Sequence, residues 1–229
     1  MNTLLLRLVG PMLSWGEQSR YSVRDTGLEP SKSGVVGLLY AAMGRRRDRP
    51  VEDLAAMIMG VRADREGYLS RDYHVAGTGG YLKAGGAIER KNVILSSRYY
   101  LADAAFLVGF ESDELDLLQR LQEALYHPVW ALFLGRKSFV PAEPIVLEDG
   151  LSMNTPMLEV LQSYRFLGRG DAPERVRGVI EDPTGDQVRM DQPVSFRMGD
   201  RQFVPRRVRT IFFASPPSSV IEQSPGEVS

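Results

Sequence analysis

The sequence predicts an α+β fold, and three features of its pattern favour this class. Short apolar runs typical of buried strands alternate with segments whose apolar residues recur at helical spacing. A glycine-rich stretch interrupts the middle of the chain, and the last third is mostly strand-like, with turn signals between the strands. The predicted order is strand, loop, helix, short helix, strand, arm, strand, helix and strand, followed by a β-rich remainder. This order fits a ferredoxin-like split β-α-β core with an inserted arm and a C-terminal β extension.

Each predicted element has a local signal at one of its ends. In chain order these elements are a strand at 3–9, helices at 33–43 and 51–59, strands at 61–69 and 99–110, and a helix at 112–126. We expect Gly10-Pro11 to end the first strand, and Ser31 or Ser33 to cap the first helix. Ser112 is expected to cap the last helix, whose leucines form an apolar stripe. Glycine-containing pairs predict turns at 149–150, 184–185 and 199–200.

These elements divide the chain into three parts. Residues 1–145 are predicted to form the ferredoxin-like domain, with the glycine-rich arm inserted at about 72–97. Residues 146–215 are predicted to form the β-rich extension. Residues 216–229, rich in proline and serine, are expected to be a flexible tail.

Composition excludes several classes of protein. The chain has 229 residues, 43% of them hydrophobic, which is enough to bury a sizeable core. It lacks an apolar run near the roughly 20 residues of a membrane span, and its start lacks signal-peptide features, so we expect a cytoplasmic protein without a membrane partner. The absence of cysteine excludes disulfides and thiolate metal sites, and two histidines argue against a multi-histidine centre. No cofactor is expected.

The charge is distributed unevenly along the chain, although the net charge is only −1. Residues 1–100 have fifteen Lys/Arg against ten Asp/Glu, and residues 101–200 have nine against seventeen. Residues 201–229 have four against two. A basic N-terminal part is compatible with a nucleic-acid groove, and equally with an unevenly charged solvated surface.

Four short motifs occur in an order and at spacings that resemble one family of CRISPR proteins. They are Gly10-Pro11-Met12 with Ser14-Trp15-Gly16, Ser33-Gly34-Val35-Val36-Gly37-Leu38-Leu39, Arg71-Asp72-Tyr73-His74, and Leu134-Gly135-Arg136-Lys137-Ser138. Together they resemble the CasD family, the repeat-associated mysterious proteins (RAMP) of type I-E CRISPR Cascade complexes. The likeness covers residues 1–140 well and the remainder loosely. It implies an RRM-like, ferredoxin-like RAMP core with a β-hairpin thumb, and the arm occupies the matching position.

The resemblance also implies a function and a set of partners. Proteins of this family do not cut RNA but cap the 5′ end of the CRISPR RNA (crRNA), holding its repeat-derived 5′ handle in antiviral defence. Their thumb crosses the RNA beside a neighbouring backbone subunit. The expected partners are the crRNA 5′ handle, the Cascade backbone subunits, the large PAM-reading subunit and, indirectly, target DNA.

Residues suited to single-stranded RNA cluster in five places: the loop, the start and the end of the first helix, the arm and a basic turn. Cations bind phosphates, aromatic rings stack on bases, and helix N-termini bind anions. The candidate RNA-binding residues are Ser14, Trp15, Arg20, Arg24, Lys32, Ser33, Gly34, Arg45, Tyr73, His74, Lys83, Arg136 and Lys137. For the helix start an ordinary N-cap remains the alternative, and for Trp15 the alternative is packing against the sheet.

Two other functions remain open at this point. A metal-independent endoribonuclease could use His74 as a general base on the ribose 2′-OH, with Tyr81 or Lys83 stabilising the phosphate. A related subtype of RAMP protein processes precursor RNA with such groups, but its set does not map onto this sequence residue by residue. A scaffold protein whose basic part contacts a protein partner is the second alternative.

Overall fold

One large, mostly antiparallel sheet organises the residues that the computed structural model describes, which are 1–16, 22–83 and 85–217. Its strands are β1 (Asn2–Leu13), β2 (Val23–Arg24), β3 (Ile58–Arg65), β4 (Tyr68–Ala76), β7 (Ile94–Ser112), β8 (Val146–Ser152), β9 (Arg175–Glu181), β10 (Gln187–Ser195) and β11 (Gln202–Ala214), while β5 (Tyr81–Leu82) and β6 (Ile88–Glu89) pair separately. The main path is β10-β11-β9-β3-β7-β1-β8, and β2 and β4 also pair with β7. The helices are α1 (Lys32–Ala42), α2 (Glu52–Ala55), α3 (Leu115–Tyr126) and α4 (Met157–Ser163). The expected mixture of helices and a mainly antiparallel sheet is confirmed.

Helices cover both faces of this sheet, which explains the unbroken apolar run at the start of the chain. Leu4, Leu6 and Leu8 join a buried cluster that contains residues of α1 and α3. Leu5 joins a second cluster, which contains residues of α4. Because successive side chains of a strand point to opposite faces, β1 is buried on both sides. Within the described part of the chain, no helix has the length and apolar character needed to cross a bilayer.

The first strand continues past the expected stop at Gly10-Pro11 and ends at Leu13. Gly10 pairs with Ala104 and Met12 pairs with Ala102, whereas Pro11 has no partner in the register. In the gap on β7, Asp103 takes a φ of 55°, so the ladder is interrupted for one residue and then resumes. The prediction of the strand's end was therefore wrong.

Three further features differ from the sequence prediction, and in the first two strand pairing overrides the local signal. The second helix ends at Ala55, and Ile58 already pairs with Glu111 in the sheet. β8 runs through Asp149-Gly150, where a turn was predicted, and its pairing with β1 shifts register. The seven-residue α4 was missed, since it is too short to show periodicity. The predicted turns at 184–185 and 199–200 are confirmed between β9, β10 and β11.

The glycine-rich region forms a two-stranded ribbon, which we call the arm (residues 68–102). β4 pairs with the first part of β7 from Tyr68↔Ala102 to Ala76↔Ile94, so the hairpin is longer than the predicted 72–97. Most of its side chains are at least partly exposed on both faces; Tyr68, for example, is 74% exposed, whereas Leu101 at the base is buried in the core. The ribbon therefore projects from the sheet and contributes to the core only at its base.

The last predicted helix, α3, begins three residues later than expected. Ser112 does not occupy its N-cap position, which Glu114 takes, and the Ser112 hydroxyl accepts a hydrogen bond from the Glu114 N–H at 3.1 Å. Leu118, Leu121 and Leu125 of the predicted stripe are buried. The stripe therefore belongs to the core, as its spacing indicated.

Candidate RNA-binding cleft

A cleft of about 1000 Å³ opens beside α1. The loop after β1, the segment before the basic turn, and the hairpin of β10 and β11 form its other walls. Eight of the candidate residues line it: Ser14, Trp15, Arg24, Ser33, Gly34, Arg45, Arg136 and Lys137. Segments far apart in sequence therefore meet at one surface, as their shared chemistry led us to expect.

One end of the cleft holds three cationic side chains, which we call the arginine end (Arg24, Arg136 and Lys137). The Arg136 guanidinium donates a 2.8 Å hydrogen bond to the Tyr99 carbonyl, and it lies 5.3 Å from the centre of the Phe139 ring. Burial and the neighbouring Arg98 guanidinium lower the pKa of Arg136 below the usual arginine value. Cations are therefore held close together here.

A glycine allows the basic turn to approach the end of β1. The Ser14 N–H donates to the Leu134 carbonyl at 3.1 Å, and Gly135 follows with a φ of +90°. A Cβ at Gly135 would lie 1.7 Å from the Ser14 carbonyl oxygen. Only glycine fits this approach, which sets Arg136 and Lys137 beside β2, the short strand that contains Arg24.

The start of α1 does not offer a free anion site. The Lys32 N–H donates to Asp191 Oδ2 at 2.6 Å, so a carboxylate of the protein already occupies the position expected for a phosphate. The Lys32 ammonium is 1% exposed and contacts both carboxylate oxygens of Glu181, at 3.0 and 2.9 Å. Burial lowers its pKa, although Glu181 opposes the shift. We therefore correct the expectation that Lys32 contacts RNA directly.

Trp15 lines the base of the cleft but lies inside the core. It is 1% exposed, and a Cβ at Gly34 would come within 3.1 Å of its ring. Its backbone N–H donates to the Thr26 hydroxyl at 2.9 Å, which fixes the loop. The structure therefore favours packing of Trp15 over base stacking, because its ring is covered by α1 and has no face open to a base. Its indole N–H has no hydrogen-bond partner among the described residues.

Arg45 reaches the cleft, but its charge is already engaged. Its guanidinium binds the Asp53 carboxylate through two 2.7 Å hydrogen bonds, and these raise its pKa. Arg47, two residues later, also lines the cleft and forms no ion pair with any described residue. The arginine run therefore presents Arg47 rather than Arg45 as the available cation.

The candidate residues of the arm lie outside the cleft. Tyr73 and His74 are neighbours in β4, so their side chains point to opposite faces of the ribbon and cannot act as a pair on one face. His74 shares its face with Asp72 and Arg98, both of which act electrostatically on Arg136. That face therefore adjoins the arginine end.

The last two candidate residues are Lys83 and Arg20. Lys83 lies near the arm's tip and pairs with Glu89 at 2.6 Å, and this contact lowers the pKa of Glu89 to about 2. Arg20 lies outside the described residues. The described residues contain no group of three or more His, Asp or Glu side chains able to hold a metal ion.

Local sequence signals did not predict the other end of the cleft. We call it the aromatic end (Trp130, Phe196 and Phe203). Trp130 is 47% exposed, and Arg201, which directly precedes β11, also lines the cleft. The excess of basic residues after position 200 was a usable signal. Nothing local in the sequence placed the C-terminal hairpin beside α1, because that contact spans most of the chain.

An open cleft lined by clustered cations, by an exposed tryptophan and by partly buried phenylalanine rings is typical of proteins that bind single-stranded nucleic acid. A family model described as "CRISPR-associated protein (Cas_Cas5)" matches residues 3–209. The chain belongs to this Cas5 family.

Individual relatives agree with this assignment. The chain is 32% identical over 176 residues to the CRISPR system Cascade subunit CasD of Escherichia coli (strain K12), covering 72% of this chain and 78% of that protein. This confirms the resemblance to CasD. A structure titled "Crystal structure of Cas protein" matches with a TM-score of 0.76 and 42% identity, over 94% of this chain and 97% of that one. A chain of a "CRISPR RNA-guided surveillance complex" matches with a TM-score of 0.81 and 31% identity, over 96% and 95%.

Proposed function

We propose that this chain is the CasD subunit of a type I-E CRISPR Cascade surveillance complex and holds the crRNA 5′ handle in the cleft beside α1. The arginine end is the observation that carries the proposal. Arg24, Arg136 and Lys137 line the cleft together with Asp25, and none of these three cations forms an ion pair within 4.0 Å with any described residue. The likeness to CasD and to a chain of an RNA-guided surveillance complex supports the same conclusion.

The electrostatics of the arginine end favour an anionic ligand. Burial, and then charge repulsion from Arg98 and Arg24, lower the pKa of Arg136, although the carboxylates of Asp72 and Asp25 oppose this shift. A phosphate placed among these groups would relieve that repulsion and gain charge-assisted hydrogen bonds from the guanidinium groups. The Arg136 hydrogen bond to Tyr99 fixes one of its nitrogens, which leaves the guanidinium oriented in advance.

The arm is proposed to be the thumb of a RAMP protein with an RRM-like core. One face has the exposed apolar side chains Leu69, Tyr73, Val75 and Leu95 around the exposed Arg71, which suits a neighbouring Cascade backbone subunit. Its other face, with His74, adjoins the arginine end and would follow the RNA. The large PAM-reading subunit and, indirectly, target DNA complete the proposed set of partners in the cytoplasm.

We propose that the subunit does not cleave RNA. A catalytic histidine base is typically oriented by a hydrogen-bonded partner. The closest carboxylate contact of His74 is Asp72, with Nδ1 and Oδ2 3.8 Å apart, beyond hydrogen-bond distance. His127, the other histidine, lies past the end of α3 and not among the cleft residues.

Salt dependence of RNA binding tests the proposal directly. The full chain is titrated with single-stranded RNA of the 5′ handle sequence at several salt concentrations, and fluorescence anisotropy gives the affinity. Arg24→Ala and Lys137→Ala should each reduce the slope of log K against log salt by about 0.7. The control is Arg46→Ala, whose exposed side chain lies outside the cleft beside Asp48 and should leave the slope unchanged. A flat slope for the natural chain would support the scaffold alternative instead.

A second assay addresses cleavage. The protein is incubated with full repeat RNA without metal, and the products are analysed for a 2′,3′-cyclic phosphate. We expect intact RNA. Cleavage by the natural chain that disappears in His74→Ala would establish the endoribonuclease alternative.

A further inference from the structure

The aromatic end of the cleft contains a tryptophan whose backbone is anchored and whose side chain is open to solvent. The backbone N–H of Trp130 donates to the Ala41 carbonyl at 3.2 Å, which anchors this part of the chain to the last turn of α1. Its side chain is 47% exposed and has no aromatic or cation contact with any described residue. An exposed indole ring on an anchored backbone is a surface on which a planar ligand can stack.

The hairpin of β10 and β11 contributes the other aromatic rings. Phe196 packs edge-on against Tyr40 of α1, with ring centres 5.1 Å apart, and Phe203 lies 6.4 Å from Phe196. Arg201, two residues before Phe203, is exposed, lines the cleft and forms no ion pair with any described residue. Apolar rings thus lie beside an available cation.

The lining of the cleft also includes a glycine inside helix α1. Gly37 lines the cleft one turn before Ala41, and a Cβ added to it would meet no heavy atom within 4 Å. Glycine weakens a helix interior, and no contact with the described residues requires it here. The open space beside Gly37 would let a ligand approach the helix backbone closely.

We propose that the aromatic end binds one unstacked nucleobase of the RNA, which stacks on Trp130 above Gly37 while Arg201 contacts the adjacent phosphate. This inference rests on the proposed function and extends the RNA site onto the C-terminal hairpin. Nucleobases are flat and apolar on both faces, and each is joined to a phosphate, so one nucleotide matches the paired ring and cation. A phosphate alone would not use the rings.

Tryptophan fluorescence tests the stacking. The chain has two tryptophans, and the other one, Trp15, is 1% exposed. RNA binding should quench the emission of the natural chain. In Trp130→Phe, RNA should still bind by anisotropy but should leave the remaining emission unchanged. Quenching that persists in Trp130→Phe, or binding without quenching in the natural chain, would overturn the proposal.

Affinity measurements separate the base from the phosphate. Trp130→Ala should weaken RNA binding by about 5- to 150-fold, the range for loss of one stacked base, without changing the salt slope. Arg201→Ala should reduce that slope instead. The matched control is Tyr126→Ala, an exposed aromatic residue of α3 outside the cleft, which should change neither quantity. Equal affinities for Trp130→Ala and the natural chain would contradict the proposal.

RNAs with a single abasic nucleotide locate the bound base. One abasic position should weaken binding to the natural chain and have no further effect on Trp130→Ala. If every position behaves alike, no base occupies the aromatic end. If the natural chain binds with a steep salt slope while Trp130→Ala is unaffected, this inference fails and the proposed function stands. If no salt-dependent binding occurs at all, the proposed function fails.

Discussion

The carboxylate of Asp191 on β10 caps the helix that begins at Lys32, 159 residues earlier, through a 2.6 Å hydrogen bond from the Lys32 N–H. Arg206 on β11 binds the same carboxylate at 2.7 and 2.9 Å. The Lys32 ammonium binds Glu181 on β9. Three C-terminal strands thus hold the start of α1, and the helix and the C-terminal wall of the cleft form one connected structure.

Removal of this carboxylate should destabilise the protein strongly. In Asp191→Ala, the first N–H of α1 loses its partner, and the buried guanidinium of Arg206 loses both hydrogen bonds and keeps only the longer ion pair with Glu181 at 3.7 Å. We expect the free energy of unfolding to fall by about 3–5 kcal/mol, the usual cost of breaking a buried ion pair on one side. Urea unfolding followed by circular dichroism measures this change.

An exposed ion pair provides the control for this measurement. Asp48 lies 3.4 Å from Arg46, and both side chains are more than half exposed. Asp48→Ala should change the free energy of unfolding by at most about 1 kcal/mol, because water screens such pairs. Equal effects of the two substitutions would show that the Asp191 contact has no special structural role.

Two glycines of α1 should respond oppositely to alanine. At Gly37 a methyl group enters open space, so Gly37→Ala should raise the free energy of unfolding by about 0.8–1.0 kcal/mol through helix propensity. At Gly34 the same methyl would lie 2.9 Å from Ser31 Oγ and 3.1 Å from the Trp15 ring, so this gain should be lost. Thermal unfolding compares the two variants. A gain at Gly34 as large as that at Gly37 would contradict the packing described here.

The sequence could predict elements with strong local signals, and some candidate residues whose chemistry is visible in isolation. The leucines of α3 and the basic turn at Arg136 belong to this group. Their periodicity or charge does not depend on distant contacts. The strand that passes through Pro11 could not be predicted, because the interruption opposite Asp103 is a property of the neighbouring strand.

Burial and pairing of charges could not be predicted from local patterns either. Lys32 looks like a free cation at a helix start, and only the fold shows that Glu181 neutralises it. Trp15 looks like an exposed loop residue, and only the packing of α1 covers it. Trp130 is the opposite case, because it was not a candidate and yet lines the cleft. A residue just after a helix end gives no local sign that a distant hairpin will form a cleft there.

Stability at high pH should depend on Tyr164 at the end of α4. Its hydroxyl donates a 2.6 Å hydrogen bond to Asp149, and burial together with this contact raises its pKa above the ordinary value of 10.0. A raised folded-state pKa for an acid means that its stabilisation is fully present below pH 10.0 and is lost as the pH rises further. The difference in unfolding free energy between the natural chain and Tyr164→Phe should therefore shrink above that pH.

The measurement for Tyr164 is urea unfolding at several pH values. At about pH 8 the natural chain should be more stable than Tyr164→Phe by about 1.5–3 kcal/mol, the range for a hydrogen bond to a charged group. Tyr126→Phe, at an exposed position, serves as the control and should follow the natural chain. A difference that stays constant to about pH 11 would contradict the assigned role.

The basic turn should depend on Gly135 for steric as well as conformational reasons. Gly135 and Gly170 both have a positive φ, of 90° and 73°. Of the two positions, a Cβ would collide with the Ser14 backbone only at Gly135, whereas at Gly170 it would enter open space. Gly170→Ala should cost about 1–2 kcal/mol of unfolding free energy, the price of a left-handed conformation. Gly135→Ala should cost clearly more, because a Cβ 1.7 Å from the Ser14 carbonyl oxygen forces the turn away from β1.

This displacement should also reach the RNA site. Arg136 and Lys137 follow Gly135 directly, so moving the turn separates them from Arg24 and breaks the 2.8 Å hydrogen bond from Arg136 to Tyr99. We expect Gly135→Ala to lower the affinity for handle RNA and its salt slope, while Gly170→Ala binds like the natural chain. Both variants are compared without urea, at a temperature at which circular dichroism shows that they are folded. Normal RNA binding by a folded Gly135→Ala variant would show that the cleft does not depend on the contact between this turn and the end of β1.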